Sequence, residues 1–212
     1  MLSVHLIDRL FRAGLYDQLL QGLSDNGMDL PLPLRVRLSQ STVSPLALGL
    51  RRVVELTYGP TPLCEQMVAR LLEAQDESGS FQGDPLATAL AAGALTRLIQ
   101  EHECLAGHDN GSVVDPNLPA ARDRALAALA GMQDSDGLFA FRSDRTWQDR
   151  ALVGAFICWQ LGGDDAFRSA VRFADLLDWF EQHRDALEKQ THQVWRLARA
   201  EMGAAPAPLV AA

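Results

Sequence analysis

The chain has 212 residues, enough for one domain with a substantial core, and its 48% apolar and 22% charged content excludes disorder throughout. Nineteen basic and 27 acidic residues leave a formal net charge of -8 with no Lys/Arg run, which disfavours a nucleic-acid partner because phosphate binding needs a concentrated basic footprint. Three scattered cysteines, Cys64, Cys104 and Cys158, make no disulfide framework and fit a reducing, cytoplasmic setting. The opening MLSVHLIDRLFRAG does not read as a signal peptide, and no apolar stretch approaches the ~20 residues of a membrane span.

Helical periodicity dominates and strand signals are almost absent. Residues 4–23 are apolar on one face. Residues 31–41, with two prolines, read as a connection. Ser44-Pro45 has the form of an N-cap with Pro at the first helical position and opens a helix to about residue 58. Thr61-Pro62 opens 63–75 in the same way, and Asp84-Pro85 opens 86–103. A loop over 107–119 follows. Further helices are predicted over 120–132, 146–161, 164–183 and 186–202. Asn26-Gly27 and Asn110-Gly111 follow helix-like segments and read as stops. The sum is about eight helices with short connections, as for packed antiparallel pairs, in one domain over 1–203. The Ala/Pro-rich end, 204–212, reads as a disordered tail.

Two segments repeat. VARLLEAQDESGSF (68–81) matches LAALAGMQDSDGLF (126–139). Gln75 pairs with Gln133, Asp76 with Asp134, Gly79 with Gly137 and Phe81 with Phe139, all at one offset of 58 residues. In each copy an apolar helix ends at Gln, and an acidic turn follows with Gly where positive φ is needed. A Phe then anchors the turn, and a second helix carries Ala and Gly on its packing face. Fixed-period similarity outweighs any single residue in assigning a fold.

This unit resembles the Gln-x-x-x-Gly-x-aromatic turn of terpene cyclases and the related repeat of protein prenyltransferase β subunits. The resemblance covers about 63–160, the repeat core 63–161. It implies antiparallel helical hairpins of an α/α toroid. About eight helices make fewer hairpins than a closed ring of that superfamily, so the toroid is partial. Both aromatics are Phe, where the cyclases favour Trp.

The superfamily's chemistry is missing. Asp134-Ser135-Asp136-Gly137 lacks the last Asp of an Asp-x-Asp-Asp acid, and Gly162-Gly163-Asp164-Asp165 lacks the first. Arg168 stands where an Asp-Asp-x-x-Asp cluster needs its last Asp. No Asp-x-Cys zinc motif is present, and an EF-hand loop from Asp134 would need Glu where Arg145 stands. His102, Cys104 and His108 form the one metal-like group, read as a polar helix end meeting the dipole. No metal and no cofactor are expected. His183 and His192 read as solvent-exposed. Trp159, Trp179 and Trp195 fall on helical stripes and read as core.

Family sites collect at the N-terminal ends of inner helices, where free N–H groups favour anions. Transferred here, that implies ligand-binding roles for Asp84 and Thr88 in the first copy and for Asp144, Arg145, Trp147 and Asp149 in the second. Helix capping by Asp144 or Thr146 is the alternative and stays open. The reading is a toroid-like module that binds an apolar small molecule or a protein partner without the superfamily's standard catalysis. The alternative is an enzyme acting on an isoprenoid or other apolar substrate. An incomplete toroid leaves part of the inner helices 86–98 and 151–161 to be covered by the N-terminal helices 4–23 and 45–58, by the C-terminal pair over 164–202 or, failing these, by a second copy of the chain in a homodimer; otherwise it forms a ligand groove. Trp179, Phe180 and Trp195 are interface candidates if they are not core.

Overall fold

The computed structural model describes residues 30–56, 61–106, 117–140 and 146–203. The predicted helix 4–23, most of the loop 107–119, both Asn-Gly stops and the tail lie outside the described residues. Among the described residues the regular structure is helical: nine α-helices and one 3-10 turn, Arg184–Ala186. They are α1 (Leu32–Gln40), α2 (Val43–Leu56), α3 (Pro62–Glu73), α4 (Pro85–Ala106), α5 (Asn117–Gly131), α6 (Trp147–Leu161), α7 (Asp165–Ala170), α8 (Phe173–Gln182) and α9 (Lys189–Gly203). The chain divides within α5 into two compact units, Met1–Ala128 and Leu129–Ala212.

In the first unit α1 occupies the segment predicted as a connection. Pro33 sits in its first turn, where helix N–H groups have no intrahelical partner, so proline costs nothing there. Leu34 and Leu38, four apart, bury one face. The next helix starts at Val43 rather than after Ser44. The Ser41 hydroxyl accepts from the N–H groups of Val43 (3.1 Å) and Ser44 (3.0 Å), and Ser44 is buried inside the helix. Val43, Ala47, Leu50 and Val54 form the buried stripe of α2, which packs on α1, α3 and α4. The Thr61-Pro62 signal holds: Thr61 Oγ1 accepts from the N–H of Cys64 at 3.1 Å and opens α3.

In the second unit α6 packs along α9. Leu138, Leu176 and Phe180 surround Gly154 of α6 at distances that would leave an added Cβ in ordinary contact. The helix predicted over 164–183 is two helices, α7 and α8, broken at Val171 and Arg172. The break serves a bond: the main-chain N–H of Arg172 is given to the side chain of Gln133 rather than to a helix carbonyl.

Both small-residue helices are largely covered within the chain, one of the alternatives the sequence left open. In α4 every residue from Leu86 to Ala92 is buried, and in α6 every residue from Ala151 to Trp159. A helix that is apolar all round is stable only when enclosed. Trp159, Trp179 and Trp195 are core residues, as their spacing predicts, and Phe180 is fully buried.

Candidate functional site

The two repeat turns are built alike. Gln75 Nε2 donates to the carbonyl of Gly79 at 2.9 Å, and Gln133 Nε2 donates to that of Gly137 at 2.8 Å. Asp76 donates its N–H to the carbonyl of Ser80, and Asp134 to that of Leu138. The N–H groups of Gly79 and Gly137 return to the carbonyls of Asp76 and Asp134. Isolated antiparallel bridges join Gln75 to Phe81 and Gln133 to Phe139, and both Phe rings are fully buried. Gly79 has φ +85° and Gly137 φ +81°. Side chains at these positions meet strain, and space is short as well. A Cβ on Gly79 would stand 2.5 Å from the Arg124 carbonyl oxygen, and one on Gly137 2.8 Å from the Leu176 nitrogen.

Each Gln also reaches a later helix. Gln75 Nε2 donates to the Ala121 carbonyl at 2.8 Å, and its Oε1 accepts from Arg124 at 2.7 Å, both on α5. Gln133 Oε1 accepts the main-chain N–H of Arg172 at 2.8 Å. The Arg172 guanidinium donates to the carbonyls of Gln133 and Asp134. The copies differ in how the first Asp is satisfied. Asp76 accepts from the hydroxyls of Ser78 and Ser80, which hold its carboxyl below the ordinary carboxylate range. Asp134 pairs with Arg150 at 2.7 Å, and Arg150 also reaches Asp136 at 3.1 Å.

The predicted site residues fall into two groups. In the first unit Asp84 caps α4, its Oδ1 accepting from the N–H of Leu86 at 2.9 Å and from Arg37 at 3.1 Å. Thr88 donates its hydroxyl to the Asp84 carbonyl and accepts the N–H of Phe81, tying the turn to the helix it opens. Both are buried. Beside them Gln82, at φ 60°, accepts from Ser41 at 2.6 Å and donates to Thr42 at 2.9 Å. In the second unit Thr146 and Asp149 form a capping box at the start of α6, each side chain bonded to the other residue's main-chain N–H. Asp144 and Arg145 lie outside the described residues.

Trp147, the first residue of α6, is half-buried. Its ring centroid lies 5.8 Å from Trp179 and 6.3 Å from His183. His183 is half-buried and stacks on Trp179 at 4.3 Å with the planes 11° apart, so it is not the freely exposed residue its sequence position suggests. Its Nδ1 lies 2.8 Å from the Trp179 carbonyl oxygen. The overlooked signal is the spacing of Trp179 and His183, four apart on one helical face.

Cys64 and Cys158 are buried, and burial pushes both thiols up, Cys158 the further. The ring nitrogen Nδ1 of His102 is buried with no hydrogen-bond partner, while the Cys104 side chain and His108 lie outside the described residues. No helix among the described residues is long and apolar enough to cross a membrane. No family model, curated protein or solved structure matches the chain.

Proposed function

We propose that the chain is an α/α-repeat module of the partial-toroid type, with its repeat core over 63–161, that binds an apolar small molecule and does not carry out the standard chemistry of terpene cyclases or prenyltransferases. One observation carries the binding reading: the half-buried Trp147 at the opening of α6, backed by Trp179 and His183. An aromatic group of this kind offers apolar area with few rotatable bonds. The carboxylates proposed with it are engaged in holding the helix starts, Asp84 on Leu86 and Arg37, Asp149 on Thr146. That engagement favours binding over proton transfer by these groups.

A small molecule is favoured over a protein partner. Trp179, Phe180 and Trp195, the candidate interface residues, belong to the core of the second unit. The large apolar residues exposed among the described ones are Leu32 and Val36 on α1. A cytoplasmic setting belongs to the same proposal. Untargeted mass spectrometry of molecules extracted from the purified protein tests it. A retained apolar molecule supports the reading, and a co-purifying protein with no such molecule overturns it. Light scattering at micromolar concentration decides the remaining expectation of a homodimer, which a strictly monomeric particle removes.

A further inference from the structure

We propose that His183 Nε2 is the polar contact of this binding site, and that the ligand is a planar or unsaturated apolar molecule bearing one hydroxyl or N–H donor. The inference rests on the binding reading above and specifies its chemistry.

A carbonyl oxygen can only accept, so the 2.8 Å contact between Nδ1 and the Trp179 carbonyl places the proton of the neutral ring on Nδ1. Nε2 is then an acceptor, and it has no partner among the described residues. Two aromatic rings lie against the imidazole. It stacks on the parallel face of Trp179 at 4.3 Å and lies beside the tilted ring of Trp147 at 6.3 Å. Trp179 is itself fixed by an edge contact to Phe180 at 5.3 Å, and Phe180 by the parallel ring of Trp195 at 4.0 Å. An acceptor oriented by the Nδ1 contact beside aromatic area is the arrangement that apolar ligand sites use for orientation: much apolar surface, few polar groups. Trp147 is joined to the cluster through the first turn of α6, and the capping box of Thr146 and Asp149 holds that turn.

The acceptor calls for a donor on the ligand, and the aromatic faces call for a polarisable, flat partner.

A matched pair of probes tests this on the full chain: 2-naphthol, which carries a hydroxyl, and 2-methoxynaphthalene, which does not. Calorimetric titration in mildly alkaline buffer is expected to show 2-naphthol binding about five- to tenfold tighter, the worth of one added hydrogen bond. In His183→Phe, which keeps a stacking ring and removes the acceptor, the preference is expected to vanish while the ether still binds. In Trp147→Ala both probes should weaken together. A measurement on the unaltered protein guards against folding defects: the ¹⁵N resonance of His183 Nε2 should shift with 2-naphthol and not with the ether. Equal affinity of the two probes, or a preference that persists in His183→Phe, overturns the proposal. If 2-naphthol binds but neither substitution affects it, this site is wrong and the broader binding reading survives. If neither probe binds and the purified protein retains no apolar molecule, both fall.

Discussion

Gln133 accepts the main-chain N–H of Arg172 at 2.8 Å while donating its own amide N–H to the Gly137 carbonyl at 2.8 Å. One side chain thus closes a turn and fixes the point where α7 gives way to α8. In the first unit Gln75 does the same work with different partners, closing its turn on Gly79 and reaching Ala121 and Arg124 on α5. In both copies the turn glycine is pressed against the helix that its Gln reaches or opens onto, Arg124 in one and Asp175 and Leu176 in the other.

Glycine substitutions separate strain from crowding. Gly83 has φ +60° with nothing within 4 Å of an added Cβ, so Gly83→Ala should cost only the backbone penalty, about 1–2 kcal/mol. Gly79→Ala and Gly137→Ala add a clash with main-chain atoms and should each cost about 2–4 kcal/mol. Denaturant unfolding of the three variants checks the ranking, and equal losses would contradict it.

Phe81 and Phe139 anchor the turns from below. Both are fully buried, and Phe139 stacks against Phe167 with centroids 6.4 Å apart. Phe81→Ala and Phe139→Ala should each lower stability by about 3–5 kcal/mol in denaturant unfolding. A loss under about 1 kcal/mol at either position would be inconsistent with an anchored turn.

The repeat was legible because it lies in local pattern: Gln, Gly and Phe at fixed offsets need one turn geometry, and the caps at Thr61 and Asp84 act on their own next turn. Features set by distant partners were not legible. The break at Arg172 answers to Gln133, 39 positions away. Ser41 rather than Ser44 caps α2, and Ser41 in turn donates to Gln82, 41 positions on. The two prolines around α1 concealed a helix because proline is neutral only in a first turn, and nothing in the sequence marks which turn that is. At the start of α6 the sequence offered Thr146 as a cap and singled out Trp147 and Asp149 as candidate binding residues, and the structure places Thr146 and Asp149 in a capping box. The half-burial of His183 was not legible, because it depends on the rings of Trp179 and Trp147 beside it.

Asp76 gives a pH signature. Its carboxyl is held below the ordinary range by the Ser78 and Ser80 hydroxyls. A depressed folded value means that the charged form stabilises the fold above the unfolded value, near 3.9 for Asp, and that this contribution disappears as pH falls through the lower folded value. Wild type should therefore exceed Asp76→Asn in melting temperature by a constant margin at neutral pH. The margin should close below about pH 4. A margin that widened on acidification would reverse the sign and contradict the bond network.

Cys64 and Cys158 should resist alkylation in the folded protein, since burial both shields the thiols and raises them away from the reactive thiolate. Iodoacetamide labelling read by peptide mass spectrometry, with and without denaturant, checks this. Rapid labelling of Cys158 without denaturant would show that α6 is not enclosed.

The central claim is that the aromatic opening of α6 holds an apolar small molecule. Native mass spectrometry of the purified full chain, wild type beside Trp147→Ala, tests it most directly. The wild-type protein should carry a non-covalent small-molecule adduct that the Trp147→Ala protein has lost, with both folded by near-ultraviolet circular dichroism. An adduct present to the same extent in both proteins, or absent from the wild type, would contradict the claim.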